Sequence, residues 1–368
     1  MSSKFTILID VFLNLSLFRE AIEAIQNQTY KNLEIIISDN GANQNIKEFI
    51  SIIEATDKRI KVLKYEKNIF SYKDVELRTF ILCNDALKVA EGDYVFYQSY
   101  DDVMALDYVE RMVKLFDDNS KCLSAAGLPI SIDLEGNSKE APNLRKTNIR
   151  PRYMAGHELA IDALENKVMF SAPGTIFSFR KDSLLKYGGF HRSIELSQLY
   201  GIVPFGETGF DEDAIFYWRR HEGQLNKELS KLGYCGAKEL YSLLDDFNLR
   251  ERWKIFGDSI SYNVVSSLNS NMGRASAALT AYNLFNFNIT GTRRTFIDSY
   301  SRFYYWKFLP IELWRHKLYL ALSFLKIFKF IISPSINILS SLSPFIDNLS
   351  IIKKLRRFFQ NDNRNNIN

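Results

Sequence analysis

Two adjacent aspartates, Asp101 and Asp102, follow a strand-like stretch, Gly92-Asp93-Tyr94-Val95-Phe96-Tyr97-Gln98-Ser99-Tyr100. The stretch rises from a glycine turn into aromatic and β-branched residues and stops at the acidic pair. Carboxylates at a strand's C-terminal end are placed to hold a divalent cation, and open α/β sheets bind ligands at that end. Oxygen ligands suit Mg²⁺ or Mn²⁺, ions that usually bridge to substrate phosphates. The bland alternative is a solvated acidic loop or a helix N-cap, because Val103 to Phe116 has helical spacing. A second acidic cluster, Asp211-Glu212-Asp213, lies well downstream. A third carboxylate, Asp39, ends an apolar run in an Asp39-Asn40-Gly41 turn.

The elements that must position these groups alternate between strand and helix. Phe5 to Ile9 reads as a strand, and a helix begins near Ser16 with Phe18, Ala21, Ile22 and Ile25 at helical spacing. Leu33 to Ile37 is a short apolar run suited to a buried parallel strand. A helix over Asn45 to Ala55, a strand over Ile60 to Tyr65, a helix over Leu77 to Ala90 and a strand over Tyr94 to Gln98 follow. Such alternation predicts a mostly parallel sheet covered by helices. Ser124 to Ile132 reads as a strand ending in a turn at Asp133 to Asn137, and Gly156 to Asn166 as a short helix. Thr175 to Phe179 reads as a strand, followed by a short helix over Lys181 to Tyr187 that ends at Gly188-Gly189. Asp213 to Glu222 has helical spacing, as do Glu228 to Leu244, Ile255 to Leu268 and Arg274 to Phe285.

Composition sets bounds on partners. Of 368 residues, 46% are hydrophobic and 24% charged, ordinary values for a chain with a sizeable core. Cys83, Cys122 and Cys235 are far apart, with no C-x-x-C or zinc spacing, which fits a reducing, cytoplasmic compartment. From Arg293 onward there are 13 Lys/Arg and 4 Asp/Glu, a net of +9; the first 292 residues carry 34 and 39, a net of −5. A basic tail on a mildly acidic body points to an anionic surface for the tail alone. Phe5 to Phe18 is interrupted by Asp10 and Asn14, so no signal peptide is expected. The longest apolar candidate for a membrane span, Leu318 to Ile332, holds Lys326 and Lys329, and no crossing helix is expected.

Four blocks in order resemble the family 2 glycosyltransferases. They are Gln28-Thr29-Tyr30-Lys31-Asn32-Leu33-Glu34-Ile35-Ile36-Ile37-Ser38-Asp39-Asn40-Gly41; Ala90-Glu91-Gly92-Asp93-Tyr94 leading to the acidic pair; Gly174 to Lys181 with Gly188-Gly189-Phe190; and Glu212-Asp213 with Arg219 and Gly223. Together they cover about residues 4 to 225. The resemblance implies a GT-A, Rossmann-like fold and inverting transfer from a nucleotide-sugar donor. It implies base contact by Asp39, a metal-binding end at Asp101 and Asp102, and a catalytic base at Asp213 with Glu212 beside it. The chemistry agrees: a diphosphate leaving group calls for a divalent ion, and a separate carboxylate must take the acceptor's proton. Several positions depart from the family. Ser99 stands at the first acidic position, Asp10 where proline is usual, and Cys83 where an arginine precedes Asn84. Phe12 is left to pack on the base, and Arg78 or Lys73 to meet phosphate. His191 is a further metal or leaving-group candidate.

The tail opens with Arg302-Phe303-Tyr304-Tyr305-Trp306-Lys307-Phe308-Leu309-Pro310-Ile311-Glu312-Leu313-Trp314. After Pro334 and Pro344, Ile351, Ile352, Leu355, Phe358 and Phe359 fall on one helical face, with Lys353, Lys354, Arg356 and Arg357 on the other. This is the pattern of a helix lying in a membrane surface; packing on the body or on a partner subunit is the alternative, so an oligomer is allowed. No nucleic-acid motif is present. The expected organisation is a GT-A catalytic domain over 1–225, a helical extension over 226–292, membrane-associating helices over 293–360 and a disordered 361–368. The expected protein is a peripheral glycosyltransferase at the cytoplasmic membrane face, using Mn²⁺ or Mg²⁺. It would transfer sugar to a glycan or lipid-linked acceptor in surface polysaccharide synthesis. The competing readings are a non-catalytic sugar-nucleotide or glycan-binding scaffold and a nucleotidyltransferase on a similar sheet.

Overall fold

The computed structural model describes residues 2–70, 77–138, 151–165, 177–191, 194–222, 224, 244, 248–286, 292, 295, 299 and 304–316. The chain divides into two compact units, Met1–Leu309 and Pro310–Asn368. In the first, β1 (Phe5–Val11), β2 (Leu33–Asn40), β3 (Ile60–Tyr65) and β4 (Tyr94–Ser99) alternate with α1 (Leu15–Gln26), α2 (Gln44–Thr56) and α3 (Leu77–Val89). Then come β5 (Val103–Met104), α4 (Tyr108–Asp118), β6 (Cys122–Ile132), β7 (Tyr153–Ala155), α5 (Gly156–Leu164), β8 (Phe177–Arg180), α6 (Lys181–Lys186), α7 (Ile194–Gly201) and β9 (Glu207–Arg219). Helices α8 (Leu249–Trp253) and α9 (Asp258–Phe285) follow.

The strands form one sheet in the order β3-β2-β1-β4-β8-β6-β9-β5, with β7 on β9. β1, β2, β3 and β4 are mutually parallel, and the fold is a mostly parallel sheet flanked by helices with a helical C-terminal region. Side chains of a strand alternate between faces, and β1 shows it. Phe5, Ile7, Ile9 and Val11 join a core with α1, α2 and α4, while Leu8 joins a second core with α3, α5 and α8. Every residue of β1 and β2 is buried, as expected of parallel strands covered on both sides. Burying each large apolar side chain contributes about 1.5–3 kcal/mol, which offsets the ordering cost of these central strands.

Three expectations need correction. Asp213 to Glu222 is not helical: residues up to Arg219 lie in β9, where Ile215, Phe216, Tyr217 and Trp218 favour strand. Val103 does not start a helix; Val103–Met104 is a two-residue strand antiparallel to β9, and α4 begins at Tyr108 after Asp107. The acidic pair is therefore not a helix cap. The helices expected over Ile255 to Leu268 and Arg274 to Phe285 are one helix, α9. Gly273 runs through it because Tyr304 and Tyr305 pack there: a Cβ on Gly273 would lie 2.6 Å from Tyr304 Cβ.

Strand β9 pairs with β6 through two register shifts, a small one between Cys122 and Ser124 and a larger one between Ala126 and Leu128. Ser124–Ala126 lies opposite Thr208–Phe210, and Leu128–Ile132 opposite Ile215–Arg219. Residues 211–214 bulge out opposite Gly127 alone. A Cβ at Gly127 would sit 2.1 Å from the Ala214 carbonyl oxygen and 2.8 Å from Tyr108 Cε2, so only glycine admits the bulge.

Candidate functional site

The chain leaves β1 toward β2 and β3, then returns on the other side of β1 as β4. That reversal opens a crevice at the carboxyl ends of β1 and β4, the place where open α/β sheets bind ligands. Register places Asp10 beside both Ser38 and Ser99, and Val11 beside Asp39. β6 and β9 run parallel to this set, so Ile132, Arg219 and His221 arrive at the same end.

The two aspartates after β4 have different surroundings. Asp101 Oδ1 accepts the Ser99 hydroxyl at 2.6 Å, and Asp101 Oδ2 lies 3.1 Å from His221 Nε2. Burial alone would raise this carboxyl, but the bonds from His221 and then Ser99 outweigh it and hold it below the usual carboxylate range. Asp102 is buried and turns away: its Oδ1 accepts the Arg219 backbone N–H at 2.9 Å, and its carbonyl accepts Gln98 Nε2 at 2.7 Å. Burial pushes its carboxyl well above the usual range, and the charge of Asp101 adds to that, against the pull of Arg219. Adjacent carboxyls are thus driven apart, one toward the anion and the other toward the neutral acid.

Arg219 is the staple of this end. It is 1% exposed. Its Nε donates to the Asp101 carbonyl at 3.0 Å, and its Nη1 to the carbonyls of Asp133 and Leu134 at 3.0 and 2.8 Å. Its Nη2 lies 2.6 Å from Glu20 Oε1, an ion pair by distance though not aligned as a hydrogen bond. One side chain thereby ties the Asp101–Asp102 loop to α1 and to the turn after β6.

Asp39 is buried, and one of its oxygens accepts the Ala42 N–H at 2.9 Å, closing the turn after β2. Next to it, Asn40 bonds to Asn68 Oδ1 and accepts the Ile69 N–H, both at 2.9 Å, folding the loop after β3 against this turn. Phe12 is partly buried just beyond β1. Arg78, in the first turn of α3, places Nε 3.6 Å from Asp10 Oδ2. Cys83 is buried and His191 partly so. Lys73, Gly174 and Gly223 lie outside the described residues.

The structure does not bring Glu212 and Asp213 to this end. Both are exposed on the β9 bulge. The Asp213 side chain is 82% exposed, 3.5 Å from Arg111 Nη1 on α4, and its backbone N–H donates to Asp211 Oδ1 at 3.0 Å. From Ile215 to Arg219 alone the strand advances about 13 Å at its usual rise. The residue that sequence reasoning passed over is His221. Its signal was available: a histidine two positions past the arginine of the fourth block.

Among the described residues, no group of three or more His, Cys, Asp and Glu could hold a metal ion. Mg²⁺-type sites, however, are commonly completed by substrate phosphates around one or two protein ligands. Asp101 Oδ2 and His221 Nε2 lie 3.1 Å apart, a carboxylate and an imidazole that could supply the protein ligands of such an ion. This pair fits a divalent ion, while Asp102 gives its Oδ1 to the Arg219 backbone N–H.

Residues 6–188 match the family described as Glycosyl transferase family 2. A stretch of 118 residues is 31% identical to an uncharacterized glycosyltransferase of Rickettsia felis, covering 32% of this chain and 18% of that protein. A stretch of 102 residues is 29% identical to the GalNAc(5)-diNAcBac-PP-undecaprenol beta-1,3-glucosyltransferase of Campylobacter jejuni, covering 27% of this chain and 30% of that protein. The chain spans less than half the length of these curated relatives. Among solved structures, S. aureus TarS 1-349 in complex with UDP-GlcNAc is 13% identical with a TM-score of 0.45, covering 79% of this chain and 90% of that one. The mannosyltransferase PcManGT from Pyrobaculum calidifontis, in complex with GDP-Man and Mn²⁺, is 12% identical with a TM-score of 0.45, covering 81% and 86%.

Proposed function

Because residues 6–188 belong to glycosyl transferase family 2, we propose that the chain moves a sugar from a nucleotide-sugar donor to a glycan or lipid-linked acceptor. The observation that carries this is the crevice at the β1–β4 reversal, lined by Asp10, Asp39, Ser99, Asp101 and His221. The nucleoside enters between Phe12 and the Asp39 turn, the second carboxylate oxygen of Asp39 accepting from the base. The diphosphate lies toward Asp101 and Arg78. A Mn²⁺ or Mg²⁺ held by Asp101 and His221 would neutralise charge on the departing diphosphate. Ser99 fixes Asp101 by its hydroxyl, and Arg219 and Asp102 hold the loop that carries it. The acceptor oxygen attacks the anomeric carbon from the face opposite the leaving group, which inverts it, and a carboxylate takes the hydroxyl proton. That base is assigned to Asp213, with Glu212 orienting the acceptor, on the sequence motif alone.

The C. jejuni relative bears the name of an enzyme acting on a polyprenyl-diphosphate glycan, which supports a lipid-linked acceptor and a role in polysaccharide synthesis here. Such an acceptor sits in a membrane, and this chain has a basic tail to meet one. Residues 304–309 of the first unit and 310–316 of the second are helical. Trp306 is 49%, Ile311 44% and Trp314 58% exposed, the residue types of a membrane interface. Among the described residues no helix is long and apolar enough to cross a membrane. The reading is peripheral attachment at the cytoplasmic face; the apolar stretch Leu318 to Ile332 and the expected helix over Ile351 to Phe359 lie outside the described residues.

The second reading is a scaffold that binds nucleotide sugars without transferring them. Ser99, Cys83 and the distance of Asp213 from the crevice favour it. Thermal unfolding in a panel of nucleotide sugars, with and without Mn²⁺, tests donor binding: a donor at 100 times its Kd stabilises by about 2.7 kcal/mol. Release of nucleoside diphosphate only when acceptor is added establishes transfer. Stabilisation without release establishes the scaffold, and no stabilisation by any donor refutes both.

A further inference from the structure

The family motifs leave one charged group of the crevice without a role. Asp10 stands near the end of β1, 2% exposed, where the family usually has proline. Its Oδ1 accepts the Tyr97 hydroxyl at 2.6 Å from β4. Its Oδ2 makes no hydrogen bond and faces Arg78 Nε at 3.6 Å. Arg78 keeps 18% of its side chain exposed. Cys83, where the family has its arginine, is buried on the same helix. Burial pushes its thiol up first, with the charge of Asp10 adding and that of Arg78 opposing. Arg78 thus lies beside Asp10 at the carboxyl end of β1.

A buried ion pair is a poor device for stability, since apolar residues of the same volume usually do as well. Its use is to hold a charge in one place. Arginine carries a planar fork of donors, the shape that meets paired phosphate oxygens. We propose that Asp10, braced by Tyr97, is a positioning residue for Arg78, and that Arg78 so held is this chain's contact for the donor diphosphate. The pair replaces in function the arginine absent at Cys83. The inference rests on the nucleotide-sugar reading above.

The test is calorimetric binding of uridine, UMP and UDP, and of the guanosine series, in buffer with EDTA so that no divalent ion contributes. Wild type is expected to bind the diphosphate much more tightly than the nucleoside. In Arg78→Gln that difference should shrink by about 10- to 100-fold, the size of a lost charged hydrogen-bond pair, with nucleoside affinity unchanged. Arg78→Lys keeps the charge without the fork and should fall between. Asp10→Asn and Tyr97→Phe should weaken the diphosphate in the same direction, by about 3- to 10-fold, without touching the nucleoside. An Arg78→Gln protein that keeps the wild-type difference overturns the inference and leaves the donor reading standing. Loss in Arg78→Gln with Asp10→Asn and Tyr97→Phe both at wild-type values overturns the positioning role. If Asp10→Asn does not fold, Tyr97→Phe and Arg78→Lys decide. A wild type that prefers no diphosphate in either series overturns the donor reading and this inference with it.

Discussion

Replacing Arg219 by alanine should destabilise the first unit by about 3–5 kcal/mol, in line with breaking other buried charged networks. The backbone N–H that holds Asp102 survives the change. What is lost is the bond to the Asp101 carbonyl and those to the carbonyls of Asp133 and Leu134. Hydrogen bonds to a charged group contribute about 1.5–3 kcal/mol each. Three would total more than the expected loss, but a side chain this size leaves room for water, which re-satisfies some of the carbonyls. The Glu20 pair adds little, because the Glu20 side chain is 49% exposed and exposed ion pairs contribute about 0–1 kcal/mol. Urea unfolding followed by tryptophan fluorescence should place Arg219→Ala lowest, Arg219→Lys between, and Glu20→Gln near wild type. The alanine variant should melt on the order of 10 °C lower. It should also lose affinity for donor, because the loop bearing Asp101 is no longer tied down. An Arg219→Ala protein within 1 kcal/mol of wild type, or a Glu20→Gln loss equal to it, would refute the staple argument.

Asp213→Asn is nearly isosteric; if Asp213 is the base, turnover should drop about 10²–10⁴-fold with donor affinity intact, and full activity would remove it from the mechanism. Asp57 accepts from the Arg59 guanidinium and backbone N–H, and the Arg59 bonds, against burial, hold it down from an ordinary 3.8 to about 2. A depressed carboxyl stabilises the fold above its unfolded value, and that stability is lost as pH falls from about 4 to about 2. Asp57→Asn should lack this slope, and equal acid profiles for the two proteins would show that Arg59 does not act there. Changing Lys353, Lys354, Arg356 and Arg357 together to Ser should weaken co-sedimentation with anionic vesicles, most visibly at low salt. Unchanged binding would assign the tail to protein contacts instead.

The parallel half of the sheet was legible because its strands are continuous apolar runs separated by helices of clear period: β1 to β4 and α1 to α3 fall within a residue or three of where the pattern places them. β5 was not legible, since two residues carry no periodicity, and Val103 and Met104 merged with the helical pattern of α4. β9 misled for a different reason. Its acidic residues resemble a helix first turn and the segment has helical spacing, while four consecutive β-favouring residues from Ile215 to Trp218 decide the outcome. At the site, residue types identified Asp39, Asp101 and Asp102 as a group at strand ends. They could not tell that Asp102 serves Arg219 while Asp101 faces His221, because that depends on a contact spanning 117 residues in one case and 120 in the other. The pairing of Asp10 with Arg78 was hidden in the same way: Asp10 reads as a departure and Arg78 as a phosphate contact, and only the fold brings them to 3.6 Å.

The larger register shift of β6 on β9 has an evolutionary consequence. A residue inserted into an ordinary strand inverts every side chain beyond it, so strand length is normally frozen. Here Thr208–Phe210 and Ile215–Arg219 are each locked by their own ladder to β6, and residues 211–214 span the interval without pairing to it. Gly127 absorbs the detour by yielding the space a Cβ would fill. Descendants of this chain can therefore change the length of the acidic bulge while Arg219 and His221 stay where they are. Its composition answers to the chemistry of Glu212 and Asp213 and not to the register of the strand, whose two ends cannot drift.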